Sequence, residues 1–395
     1  MKLLLSKGIP LFAFISLFTI QLSAQILPTF SDVDYVGDGI TRHLLDVYVP
    51  PTFHDTPRPA VMYIHGGGWE NGKKKGELRS DLTPLYQLAK YIIIDINYRY
   101  SSDSIWPAQL YDCKAAIRHL RHHAALYNID TCAIGVMGHS AGGHLAAVLG
   151  TTNHIDSLEG YHLGYPDQHS KVHAVIDFFG PTDFLQADEH FPVAPPDSCL
   201  ETVIYADAQS IASQLVGCPI TTCPKKVKSA NPITYINGNE PPFRIYHGTF
   251  DCAVPLHQSQ ILYESLVLQN ISTDFIIVEN AVHADNIFYT PSAVTDLSNF
   301  FVEHLSAVTC YPISTAADSI FKNNFNIFPN PASDFIFLDI EGNSTLPSIE
   351  ILDYNGKIIR TYNDTKIDIQ GLPKGVYLIH IRFHNENIFK KLIKM

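Results

Sequence analysis

The feature that most constrains the fold is the run Ala133-Ile134-Gly135-Val136-Met137, which leads at once into Gly138-His139-Ser140-Ala141-Gly142 and a helical stretch over 141–149. The first run reads as a strand buried on both faces, and the glycine-flanked serine reads as a sharp turn into a helix. A bare Gly-x-Ser-x-Gly arises by chance about 0.1 times in ~400 residues, so the strand-turn-helix context carries the argument. Such a turn forces Ser140 into a strained, exposed conformation, while the flanking glycines let backbones approach where a Cβ would clash. Ser140 is therefore the candidate nucleophile.

The surrounding chain repeats this rhythm. Runs at 60–64, 91–96, 172–179, 243–247 and 274–278 read as strands, and 82–90 and 107–127 carry helical spacing. The expected class is α/β with a mostly parallel sheet. Residues 184–239, with Pro192, Pro195, Pro196, Pro219, Pro224 and several cysteines, break the rhythm and read as a cap-like insertion. At 395 residues the chain exceeds what one core usually supports, and 46% hydrophobic with 17% charged residues is a globular composition. A second module is expected from 325 to 395, where short alternating runs at 334–340, 348–352, 357–362 and 376–383 and the Asn355-Gly356 turn signal suggest a small all-β sandwich.

A serine hydroxyl needs an imidazole to take its proton, a carboxylate to orient that imidazole, and donors for the oxygen that becomes negative. Asp251 and His283 follow the strands at 243–247 and 274–278, which supplies the first two. His65-Gly66-Gly67-Gly68-Trp69 follows the strand at 60–64, and the N–H groups of Gly67, Gly68 and Ala141 are the candidate oxyanion donors. Trp69 and His139 are the candidate substrate contacts. Asp183, after the strand at 172–179, is the rival acid but is read as the start of the cap. A phosphate loop is disfavoured because no Lys-Ser or Lys-Thr follows at the required spacing. No cofactor and no metal are expected. Cys218 and Cys223 have no neighbouring histidine, and His119 and His123 are read with Arg118 and Arg121 as a solvated basic face.

Lys2 and Lys7 before the apolar run 9–20, with Ala24 before Gln25, form a signal-peptide pattern over 1–24. That run is too short for a membrane span, which needs about 20 apolar residues, and no membrane span is expected elsewhere. With 27 Lys and Arg against 39 Asp and Glu the net charge is −12, which opposes binding to nucleic acid. Seven cysteines outside the cytoplasm allow up to three disulfides and one free thiol, with the pairing left open.

These motifs, with Asp95-Ile96-Asn97-Tyr98-Arg99, Trp106-Pro107-Ala108-Gln109-Leu110, Asn231-Pro232-Ile233-Thr234-Tyr235 and Pro241-Pro242-Phe243, resemble the α/β-hydrolase family. The resemblance is to its carboxylesterase branch, related to hormone-sensitive lipase and to bacterial feruloyl and acetylxylan esterases. It implies a triad in the chain order Ser140, Asp251, His283 and a secreted esterase acting on acetyl or feruloyl groups of plant polysaccharide. A lipase or short-chain carboxylesterase, a prolyl-oligopeptidase-like peptidase and a noncatalytic binding protein are the alternatives. One departure is Ala281-Val282-His283-Ala284-Asp285, where a glycine often sits beside the histidine. Asn326-Ile327-Phe328-Pro329-Asn330-Pro331, Leu372-Pro373-Lys374-Gly375-Val376-Tyr377 and the final Lys390-Lys391-Leu392-Ile393-Lys394-Met395 resemble a type IX secretion C-terminal sorting domain. That resemblance implies recognition by the type IX secretion machinery and a location outside the cell or at its surface, reached through the periplasm. The expected division is 1–24 signal peptide, 25–308 catalytic domain, 309–324 linker and 325–395 sorting domain.

Overall fold

The apolar runs pair into one eight-stranded sheet. The computed structural model describes residues 25–51, 56–88, 90–191, 199, 203–306, 326–328, 330, 332–339, 347–353, 357–383 and 386–395. The segments expected to be a signal peptide, 1–24, and a linker, 309–324, and the turn expected at Asn355-Gly356 lie outside them. The strands are β1 (Phe30–Asp34), β2 (Leu44–Tyr48), β3 (Arg58–Ile64), β4 (Ile92–Ile96), β5 (Ile129–His139), β6 (Ala174–Phe178), β7 (Phe243–Gly248) and β8 (Thr273–Val278), in the order β1-β2-β4-β3-β5-β6-β7-β8. From β4 to β8 the neighbours are parallel, while β1 and β2 join antiparallel. Neither β1 nor β2 was expected from the sequence.

Strand periodicity divides the core. Ala60, Met62 and Ile64 of β3 join one apolar cluster with residues of α2 (Ala108–His122), α4 (Ala141–Thr151) and α7 (Leu256–Leu268). Val61 and Tyr63 join the other, with α1 (Thr83–Gln87) and α8 (Pro291–Leu305). Successive side chains point to opposite faces, so an unbroken apolar strand serves two helical layers. Between β6 and β7 the insertion carries α5 (Ile211–Val216) and α6 (Pro224–Ala230).

The helix expected over 107–127 is two, because His123 leaves helical geometry and α3 (Ala124–Tyr127) follows, ending at Asn128 with φ 58°. The solvated basic face is also corrected. Arg118, His119 and Arg121 are buried, because the excursion over 156–171 covers that side of α2 and supplies carbonyls. Arg118 donates to the carbonyls of Glu159, Gly160 and Gly164, and Arg121 to those of Thr131, His169 and Lys171. Such bonds satisfy cations that would otherwise be costly to bury.

The C-terminal segment forms two antiparallel sheets. One contains β9 (Asn326–Phe328), β10 (Phe335–Asp339) and β13 (Lys366–Asp368); the other contains β11 (Ser348–Leu352), β12 (Ile358–Tyr362), β14 (Gly375–Phe383) and β15 (Glu386–Lys394). Ile336, Leu338 and Ile367 of the first meet Ile349, Ile351, Ile379 and Ile381 of the second in one cluster, the core of a sandwich. Among the described residues, no helix is long and apolar enough to cross a membrane.

Packing against β5 is tight enough to test. A Cβ on Gly135 would stand 2.7 Å from the Phe301 ring and 3.2 Å from Leu305, both on α8. We expect Gly135→Ala to destabilise the protein by about 1–3 kcal/mol. Adding Phe301→Leu should restore part of the loss in urea denaturation, and an additive double mutant would contradict this packing.

Candidate active site

Ser140 stands between the last residue of β5 and the first of α4, with φ 54° and ψ −120°. A serine in that region is strained, and strain persists only where the surroundings impose it. Here the Ser140 N–H donates to the Phe178 carbonyl at 2.9 Å. A Cβ on Gly142 would collide with the Ile64 carbonyl and stand 2.6 Å from that of His65. One on Gly143 would collide with the Asp177 carboxylate and stand 2.8 Å from the Phe178 carbonyl. The N-terminus of α4 is thus pressed onto the ends of β3 and β6.

The glycine loop packs on this turn, since a Cβ on Gly66 would lie 2.8 Å from the His139 carbonyl and 3.4 Å from the Ser140 Cβ. Its carbonyls are engaged elsewhere: that of Gly67 accepts from Glu70 and Asn71, that of Trp69 from Ser101, and that of His65 from the Tyr98 hydroxyl. The His65 Nδ1–H donates to the Gly66 carbonyl at 2.7 Å. Gly67 and Gly68 have φ of 114° and 61°. Among the described residues nothing accepts from the N–H groups of Gly67, Gly68 or Ala141. Ala141 opens α4, so its N–H has no partner within the helix.

Asp251 and His283 are brought together. The His283 Nδ1–H donates to Asp251 Oδ2 at 2.7 Å, which leaves Nε2 as the basic nitrogen of the neutral ring. The His283 ring packs on Phe179 with centroids 4.7 Å apart, next to the Phe178 carbonyl that receives the Ser140 N–H. Asp251 is buried. Its Oδ1 accepts from the N–H groups of Ala253 and Val254, both at 2.9 Å. Burial alone would raise the Asp251 pKa, but bonds from His247 and His283 outweigh it and hold the carboxyl well below the usual range. His247 was missed by sequence reasoning. Its Nε2 lies 3.3 Å from Asp251 Oδ2 and 2.9 Å from the Val254 carbonyl, and its position four residues before Asp251 was the available signal. Ala284 has φ 58°, a conformation glycine adopts freely, which gives the departure beside the histidine its physical meaning.

The two expected substrate contacts are corrected. Trp69 is 0% exposed and packs on His144 and Phe184, so it is a core side chain that fixes the glycine loop from behind. His139 is buried, with Nδ1 and Nε2 each 2.8 Å from a tyrosine hydroxyl, those of Tyr63 and Tyr289. It has no nitrogen left for a ligand and instead links the serine turn to the chain beyond His283. Asp183 is apart from the imidazole, accepting from the Leu185 N–H, Gln186 and Asn231. Cys218 and Cys223 form a disulfide, as do Cys199 and Cys252; Cys132 is also disulfide-bonded, and Cys113 is free and buried. Among the described residues no group of three or more His, Cys, Asp or Glu side chains is arranged to hold a metal.

A mostly parallel sheet carrying a strained serine after its central strand, with a histidine and a carboxylate beyond later strands, defines an α/β-hydrolase. The chain belongs to the BD-FAE family of α/β-hydrolases, whose family model matches residues 45–266. Residues 326–395 match the secretion system C-terminal sorting domain. Among solved structures the chain is similar to a truncated carbohydrate esterase from gut microbiota, at 33% identity and TM-score 0.63, covering 70% of this chain and 96% of that one. It is also similar to a bifunctional GH43-CE protein of Bacteroides eggerthii, at 31% identity and TM-score 0.63, covering 70% of this chain and 35% of that one. A probable carboxylic ester hydrolase, LipM of Mycobacterium tuberculosis, is 30% identical over 237 residues, 60% of this chain and 51% of that protein. The chain spans about half the length of the curated relatives it matches.

Two outcomes follow from the site's surroundings. The Cys199–Cys252 bond ties the insertion to the residue after Asp251 across 53 positions, so Cys199→Ser with Cys252→Ser should lower stability by about 2–4 kcal/mol in urea. An unchanged urea midpoint would contradict this. Burial also pushes His65 and His144 down to about 4, His139 to about 3, and His119 well below its ordinary value. These rings fold neutral but take up protons when unfolded below pH ~6.5, so stability falls as pH drops from there toward 4. Asp95 and Asp177, pushed up to about 7 by burial, act oppositely but are outnumbered, since burial also pushes His123, His169 and His173 down to about 4. Calorimetry should show Tm falling over that window, and a Tm that rises would contradict the balance.

Proposed function

We propose that the protein is a serine esterase in which Ser140, His283 and Asp251 form the catalytic triad. The observation that carries the proposal is the His283–Asp251 hydrogen bond at 2.7 Å, which fixes a basic Nε2 at the same sheet end as the strained serine. In this mechanism His283 Nε2 takes the Ser140 hydroxyl proton as Oγ attacks the ester carbonyl carbon. Asp251 stays ionised and holds the tautomer. The carbonyl oxygen becomes an oxyanion received by the free N–H groups of Gly67, Gly68 and Ala141. His283 then protonates the departing alcohol oxygen, and a water activated the same way releases the acid.

The proposed substrates are acetyl or feruloyl esters on plant polysaccharide, a reading supported by similarity to a carbohydrate esterase at 33% identity. Residues 325–395 are proposed to direct the catalytic domain, 25–308, through the type IX secretion machinery to the cell surface or beyond, supported by the sorting-domain match.

Release of nitrophenol from p-nitrophenyl acetate tests the mechanism. Ser140→Ala should lower kcat by at least about 10³-fold, and Asp251→Asn by about 10⁴-fold through the wrong tautomer. Wild-type activity retained by Ser140→Ala would overturn the assignment.

A further inference from the structure

One aliphatic side chain of the insertion leans on the glycine loop. A Cβ built on Gly68 would lie 3.3 Å from Ile211 Cδ1, 3.4 Å from Cγ2 and 3.7 Å from Cβ. Ile211 is only partly buried, although it packs against the main apolar cluster and is the first residue of α5. The N–H of Gly68 is among the unpaired donors proposed to receive the oxyanion, so Ile211 stands beside the loop that would hold the ester carbonyl.

Ile211 is held there firmly. Ser210 caps α5 by accepting from the Ser213 N–H at 3.0 Å and donates from its own hydroxyl to the Tyr205 carbonyl at 2.8 Å. Ser213 donates to the Asp207 carbonyl at 2.8 Å and accepts from the Ile220 N–H at 3.2 Å. The Trp106 N–H fastens the Leu215 carbonyl to the body of the domain at 2.7 Å, and Ala212, Leu215 and Val216 are buried. Beyond the helix, the Cys218–Cys223 disulfide closes the following turn. On the other side, buried Trp69 fixes the glycine loop. Neither surface can retreat without breaking several of these contacts.

We propose that Ile211 is the wall that sets acyl length and selects acetyl over feruloyl among the esters proposed above. The proposal rests on the serine esterase reading. A partly buried isoleucine occupies space that a longer chain needs, and discrimination of about 10–200-fold for a methylene group is typical of an apolar pocket. Shortening the side chain opens that space; enlarging it narrows the pocket further.

The test measures kcat/KM for p-nitrophenyl acetate, butyrate and hexanoate with the full chain and with Ile211→Val, Ile211→Ala and Ile211→Phe. The hexanoate-to-acetate ratio within each variant is the readout, which is independent of the fraction of protein that folds. The ratio should rise in the order wild type, Val, Ala, by at least about tenfold for Ile211→Ala, and fall in Ile211→Phe. An unchanged ratio in Ile211→Val and Ile211→Ala, with the wild type active, overturns the wall and leaves the esterase reading standing. A wild type that hydrolyses none of the three esters overturns both.

Discussion

Everything at this site depends on how closely the N-terminus of α4 approaches the sheet. Gly142 and Gly143 meet the carbonyls at the ends of β3 and β6 with no room for a side chain. That contact drives Ser140 into positive φ, opens its neighbour's N–H at the helix start, and sets the glycine loop beside the serine. A Cβ at either glycine would separate helix from sheet, and nucleophile and oxyanion donors would move apart together. The strain is local, but it is repeated nearby: Trp69, Phe179 and Ala284 also have φ between 45° and 58°. Non-glycine residues in that region cost of order 1–3 kcal/mol each, so the strand ends that carry the chemistry hold several strained positions which the packed sheet below must offset.

The second requirement is electrostatic. A buried carboxylate is tolerated only when its oxygens are satisfied, and Asp251 receives two backbone N–H groups and two imidazoles. His247 also binds the Val254 carbonyl, so it braces the same short loop whose N–H groups hold Oδ1. The Ala253 carbonyl in turn accepts from Tyr205 of the insertion, and Cys252 is bonded to Cys199. The acid is therefore coupled to the insertion by a covalent bond and a hydrogen bond, and the insertion contacts the glycine loop through Ile211. One excursion thus braces two parts of the site.

Much of this was legible in the sequence because parallel strands buried on both faces are unbroken apolar runs, and because the chemistry lies just beyond their ends. The runs at 60–64, 243–247 and 274–278 coincide with β3, β7 and β8 to within two residues. What was illegible required knowledge of tertiary cover. β1, with sequence FSDVD, and β2, with LLDVY, are five residues each and carry acids, so pattern alone does not mark them as strands. Arg118 and Arg121 read as solvent-facing because charge on a helix usually is, yet a distant excursion caps that face with carbonyls. Trp69 and His139 sit within the motifs, but the hydroxyls of Tyr63 and Tyr289 and the ring of Phe184 come from positions 63, 289 and 184, which no local pattern connects to them.

The most direct test of the central claim is covalent. A fluorophosphonate probe reacts with a serine only where a neighbouring base activates it and an oxyanion site receives the phosphonyl oxygen. Incubation with the probe, digestion and mass mapping of the peptides should place a single phosphonyl group on Ser140, and the label should vanish in His283→Ala. Labelling of another residue, or none on a folded protein, would contradict the account.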